Sequence, residues 1–267
     1  MCRGGFPAIS VFALHSFPGA LRRLAIVLGI VAASCRHSPS EKEQQGAEIH
    51  YNLGVNAQQA GEMRGALAEF ETALSLDPGF AEAHNAIALL LNNAFGRSDD
   101  AIAHFRRALE LRPNFSEAKV NLGVVLSQQS RYDEAIKLFE EALNDMRYPT
   151  PYFAEGNLGW ALYKKGNLTE AIDHIRSAVT MEPKFCQGYR NLGLIEGDNG
   201  HLEQACQHFA AYREHCPDVA EAYYREGSCL AKLGHREAAK QALASCESKS
   251  GNASLKNDCR TLREQLR

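Results

Sequence analysis

The sequence predicts an all-α chain, a right-handed superhelical solenoid of about six helix–turn–helix units closed by a C-terminal capping helix. Three observations predict it. Small residues, an aromatic and a proline recur at fixed offsets, with a period of about 34 residues. A unit of that length cannot bury its own apolar face, so neighbouring units must stack. The landmarks fade in the last unit, as a terminal cap requires.

Taking Ala47 as position 1, Leu53-Gly54, Ala66, Phe70, Ala73 and Pro78 fall at positions 7, 8, 20, 24, 27 and 32. Small residues at 8, 20 and 27 let two antiparallel helices approach, and the aromatic at 24 fills the space between units. Proline at 32 ends the second helix because it has no N–H to donate. Unit two, from Ala81, repeats Ala101, Phe105, Ala108 and Pro113, with one residue inserted near Asn92-Asn93-Ala94. Unit three, from Ser116, carries Leu122-Gly123, Ala135, Phe139 and Ala142. Unit four, from Tyr152, carries Leu158-Gly159, Ala171, Ala178 and Pro183. Unit five, from Cys186, carries Tyr189, Leu192-Gly193, Ala205, Phe209 and Pro217. Unit six, from Ala220, keeps Tyr223, Gly227 and Ala239 but loses the aromatic and the closing proline. The pattern resembles the tetratricopeptide repeat.

Ahead of the repeats, residues 1–34 contain no acid and three arginines, Arg3, Arg22 and Arg23. The apolar run Leu24 to Ala33 is too short to span a bilayer and has the anatomy of a signal peptide. Ala32-Ala33-Ser34-Cys35 resembles the lipobox of bacterial lipoproteins, which predicts removal of residues 1–34 and acylation of Cys35. The bland alternative is an ordinary secretory signal with a cysteine nearby. With lipid on Cys35 the chain is anchored to a bilayer without crossing it. Arg36 rather than aspartate after the cysteine points to the outer membrane, with the chain facing the periplasm. Without residues 1–34 the chain carries 26 basic and 32 acidic residues, a formal charge of −6.

The expected order is then a lipidated tether and helix start at 35–46, repeats one to three at 47–149, repeats four to six at 150–248, and a cap at 249–267. Ser40 with Glu43 reads as a capping box at the first helix. Between units three and four the period slips, and Tyr148-Pro149-Thr150-Pro151 places two prolines where one suffices. The plain reading is a stiff connector; the sharper one is a break between two lobes, or a contact surface. Ser248 to Ser254 reads as a loop and Leu255 to Leu266 as the final helix.

First helices line the concave face of such superhelices. Position 9 of each reads Val55, Leu89, Val124, Trp160, Leu194 and then Ser228, an apolar ladder that predicts a binding stripe. Its natural ligand is an amphipathic helix or an extended apolar peptide. Position 6 adds Asn52, Asn121, Asn157 and Asn191, with Asn85 one place earlier in unit two. These amides either meet a ligand or sit partly buried between helices. Position 5 reads Tyr51, Asn85, Val120, Gly156, Arg190 and Tyr224, so the lysine clamp of chaperone-binding members is absent.

Six cysteines, Cys186, Cys206, Cys216, Cys229, Cys246 and Cys259, crowd the end of the chain. An exported protein meets an oxidising compartment, and six cysteines allow about 15 pairings. Repeat geometry favours Cys186–Cys216 at one end of unit five, Cys206–Cys229 between units five and six, and Cys246–Cys259 flanking the last loop. Buried free thiols are the alternative. No Cys-x-x-Cys suggests zinc, and no phosphate loop, metalloprotease motif or nucleophile elbow suggests an enzyme or a cofactor. His50, His84, His104, His174 and His208 are scattered over repeat helices, and no basic stripe advertises nucleic acid.

Lipobox, six repeats and little else resemble the type IV pilus biogenesis lipoproteins, secretin pilotins of the PilF/PilW and Tgl type. The stretch Asn144 to Pro151 running into Gly156-Asn157-Leu158-Gly159-Trp160 carries most of the resemblance, with Pro183-Lys184-Phe185-Cys186 and Asn191-Leu192-Gly193 after it. The resemblance implies a protein that binds the outer-membrane secretin subunit of the type IV pilus and promotes its localisation and multimer assembly. The competing reading is a lipoprotein scaffold for cell-wall synthesis or another envelope complex.

Overall fold

Each helix pair is set by one turn. Left-handed backbone falls at Gly61, Gly166, Gly200 and Gly234, position 15 of their units, and at Gly96 one place later in unit two. Unit three holds Ser130 there at φ 61°, the only non-glycine with positive φ among the described residues. Glycine takes this conformation without a Cβ clash, so the first helix stops and the chain reverses.

The structure is a computed structural model describing residues 38–266, and its helical unit begins at Glu41. The expected lipidation site Cys35 lies outside the described residues. Thirteen helices and no strand occur among them. The first helices of the six pairs are α1 (Glu41–Gln59), α3 (Ala81–Asn93), α5 (Ser116–Gln128), α7 (Pro151–Lys164), α9 (Cys186–Asp198) and α11 (Ala220–Lys232). Their partners are α2 (Met63–Leu76), α4 (Ser98–Leu111), α6 (Tyr132–Leu143), α8 (Leu168–Met181), α10 (Leu202–His215) and α12 (Arg236–Lys249). Helix α13 (Ala253–Gln265) packs on α12 and touches α11. No described helix is long and apolar enough to cross a membrane.

The landmark side chains form the core. Ala66, Phe70 and Ala73, Ala101, Phe105 and Ala108, and Ala135, Phe139 and Ala142 are wholly buried. A Cβ on Gly123 would lie 2.6 Å from the Phe139 ring, so the missing side chain is what lets α5 settle onto α6. In unit four Ile175 takes the aromatic's place, also fully buried. Phenylalanines just ahead of the next first helix seal one unit to another. The Phe80 ring centroid stands 5.1 Å from that of Tyr51, and Phe185 lies 5.4 Å from Tyr152.

The connector between α6 and α7 leaves the core unbroken. Tyr148 is buried within the same apolar cluster that extends from Ala66 to Ala171. Asp145 holds the turn, accepting from the Ser116 hydroxyl at 2.9 Å and from the Arg147 amide at 3.0 Å. Pro151 occupies the start of α7, where its missing N–H has no partner to lose. The final loop is shorter than the sequence suggests. Helix α12 runs to Lys249 and α13 starts at Ala253, because the Asn252 side chain accepts from the Leu255 amide at 3.0 Å and caps the helix two residues early.

Candidate functional site

The first helices lie along one side of the stack. Helix α3 meets α5, α5 meets α7 and α7 meets α9, whereas successive second helices stand farther apart. Curvature therefore turns the first helices inward. On these first helices Val55, Leu89, Val124, Trp160 and Leu194 are all half-buried. Val55, Leu89 and Val124 lie against the main core. Trp160 rests on the cluster of Ile175, Leu192 and Ile195, and Leu194 on the cluster holding Cys206 and Cys229. Each is thus partly spent on packing and partly open to solvent.

Trp160 is the largest element of the ladder. Its ring centroid is 5.4 Å from that of Tyr163, and the Lys164 ammonium stands 4.7 Å over the indole. The Tyr163 hydroxyl donates to Asp198 at 2.6 Å, bridging units four and five. That bond to a carboxylate pushes the phenol up to about 12.

The asparagines divide. Asn52 is exposed, and half-buried Asn121 donates to Asn85 at 3.1 Å across the unit boundary. Asn157 and Asn191 are buried and do not present their amides to the groove. Asn157 donates to the Phe153 carbonyl of its own helix at 2.7 Å, and Asn191 lies next to Arg190, which donates to it at 3.5 Å. The reason is rotational: position 6 turns toward the neighbouring first helix, where a buried amide must be bonded.

Three disulfides, Cys186–Cys216, Cys206–Cys229 and Cys246–Cys259, join α-carbons 5.9, 5.5 and 6.1 Å apart. They tie units five and six and the cap into one block. Histidines clip the two helices of a pair together. His50 bonds Glu69 at 2.7 Å, His174 bonds Glu155 at 2.6 Å, and the Nδ1 atoms of His84 and His104 lie 3.1 Å apart. Burial, and then the neighbouring His104, pull His84 down to about 4. No cluster of three or more metal-ligating side chains occurs among the described residues. A hollow of about 540 Å³ lies between α4 and α6 over Leu122 and Leu126, under a rim of mixed charge.

Comparison with solved structures places the chain beside PilW, a widely conserved type IV pilus biogenesis factor. The two are 25% identical, with a TM-score of 0.72 over 80% of this chain and 97% of PilW. PilF of Pseudomonas aeruginosa shares the fold at 18% identity, with a TM-score of 0.68 over 83% of this chain and 99% of PilF. MamA of Desulfovibrio magneticus RS-1 shares it at 23% identity, with a TM-score of 0.55 over 64% of this chain and 94% of MamA. No curated protein matches the chain in sequence. Tetratricopeptide repeat profiles match residues 51–114, 94–150, 156–185 and 220–248, which together take in more than half of the chain. On that match and on its stack of six helix pairs, the chain belongs to the tetratricopeptide repeat family.

Proposed function

We propose that this protein is a pilotin, an outer-membrane lipoprotein that binds the secretin subunit of the type IV pilus and promotes its localisation and multimer assembly. The observation that carries the reading is the recurrence of a half-buried apolar residue at position 9 of five successive first helices, in a chain whose fold matches PilW over 80% of its length. An isolated scaffold gains nothing from a half-exposed tryptophan in line with four aliphatic residues, whereas a partner segment laid over them removes that surface from water. The lipid on Cys35 holds the complex at the membrane. The groove covers an apolar secretin segment until neighbouring secretin subunits replace it.

The test is the double variant Val124→Glu, Trp160→Glu, expressed in place of the wild-type gene. Both side chains have a solvent edge, so the far-UV circular dichroism should stay that of the wild type. Heat-resistant secretin multimers should disappear from membrane blots. Normal multimers in a folded double variant overturn the proposal.

A further inference from the structure

Position 4 of a first helix meets position 23 of its partner, and four of the six units put a histidine at this crossing. Unit one pairs His50 with Glu69 at 2.7 Å, and unit four pairs Glu155 with His174 at 2.6 Å. Each is an imidazole held by a carboxylate. Only unit two sets two imidazoles against each other. His84 on α3 and His104 on α4 bring their Nδ1 atoms to 3.1 Å.

As a clip this pair is the weaker choice. Two neutral rings share at most one N–H···N bond, whereas a carboxylate gives histidine a charge-assisted one. The spacing suits a second use. Two nitrogens bound to one ion at about 2.0–2.1 Å stand about 2.9 Å apart at a right angle and about 3.3 Å apart in a tetrahedron. The observed 3.1 Å falls between the two. The ring centroids lie 5.2 Å apart with the planes tilted by 44°, so the rings meet by their edges and do not stack.

The surroundings keep both rings able to coordinate. Both are half-buried. Burial pulls His104 below its ordinary value, and burial followed by His104 pulls His84 down to about 4, so both rings are neutral near pH 7. Neutral imidazole is the form that binds a metal. The Pro78 carbonyl bonds the His84 ring as well, which fixes its orientation. Charges acting on the two rings come from Glu71, Asp100 and Glu110 and from Arg97 and Arg107. Arg97 is paired with Asp100 at 2.7 Å and Arg107 with Glu110 at 2.8 Å. Three acids against two guanidiniums leave one negative charge, on exposed Glu71 of α2, and that balance favours a cation.

We propose that the Nδ1 atoms of His84 and His104 form a binding site for one nitrogen-preferring divalent ion, zinc(II) or copper(II), which clamps α3 to α4. Imidazole selects this class of ion, whereas calcium and magnesium take oxygen ligands. A ring that carries its proton on Nδ1 shifts it to its own Nε2 on binding, so both lone pairs meet the ion. Water fills the positions that the two rings leave open. The proposal does not rest on the groove.

The test uses the full chain with its disulfides intact, freed of metal by EDTA and dialysis. Zinc chloride titrated calorimetrically at pH 7 should fill one saturable site. His84→Gln and His104→Gln should each weaken it about tenfold or more, since losing even an outer partner of a ligand costs about 10–100-fold. His50→Gln should leave it unchanged. Glutamine keeps a hydrogen-bonding amide, so the metal-free proteins should share one far-UV circular dichroism spectrum. Copper(II) reports the ligands directly: at one equivalent, electron paramagnetic resonance should show nitrogen ligation that either substitution diminishes. Zinc should also raise the urea midpoint of the wild type and not that of the double variant. Zinc binding that survives both substitutions in one chain places the ion elsewhere and overturns the proposal. A wild-type protein with no saturable site for zinc or copper overturns it too, and leaves the pair a plain hydrogen bond.

Discussion

Gly159 lies where α7 crosses α8, and replacing it by alanine tests how the helix pairs are held. An added Cβ would lie 2.6 Å from Ile175 Cγ1, 2.7 Å from the Ala171 carbonyl oxygen and 3.2 Å from the Ile175 amide nitrogen. Two of those three atoms are backbone and cannot turn aside, so the helices themselves must separate. The same change at Gly123 would have three atoms of the Phe139 ring as its nearest contacts, at 2.6, 2.9 and 3.1 Å, and a ring can tilt. Unit two already carries Ala88 at this position opposite Phe105, both fully buried, so an aromatic partner tolerates a methyl group there. Alanine gains about 1 kcal/mol over glycine in helix propensity, while overpacking against backbone costs about 1–3 kcal/mol or more. Gly159→Ala should therefore destabilise by about 2 kcal/mol and Gly123→Ala by less than about 1 kcal/mol. Urea unfolding followed by circular dichroism reads the total. Hydrogen exchange at α7 and α8 reads the local loss, because stacked repeats open in parts. A Gly159→Ala protein no less stable than Gly123→Ala refutes the reasoning.

Reduction should act on one half of the chain. The disulfides close segments of 30, 23 and 13 residues in separation, each contributing about 3 kcal/mol by chain entropy. Limited proteolysis after reductant should open new cleavages within α9 to α13 and leave units one to three unchanged; equal sensitivity throughout counts against this division. Acid should weaken units one and two through His84. Its folded value of about 4 lies below the ordinary 6.5, so the unfolded chain takes up the proton first. Stability is then full above pH 6.5 and declines as pH falls from there to about 4, by on the order of 1–3 kcal/mol. Denaturant midpoints measured across that range for wild type and His84→Gln should diverge as pH falls, and parallel curves would remove His84 as the cause.

The repeat was legible because its landmarks are steric. Ala66, Phe70, Ala73 and Pro78 each allow few alternatives at their positions, and their recurrence sets the period without any knowledge of long-range contacts. The left-handed glycines at position 15 carry a signal of the same kind. The start of α13 was misplaced by two residues, since Asn252 decides it through one hydrogen bond that composition does not reveal.

Sequence alone determined that helices pair and where they turn, because those depend on a period and on the local limits of glycine and proline. Tertiary structure decided which of the neighbouring polar positions stay open. Asn52 is exposed while Asn157 and Asn191, at the same position of later units, are buried: among the described residues no first helix precedes α1, whereas α7 packs against α5 and α9. It also made a cavity of about 300 Å³ between α9, α10 and α11, bordered by Leu194, Phe209 and Ser228. A space bounded by separate elements exists only once they are assembled, and no single stretch of chain encodes it.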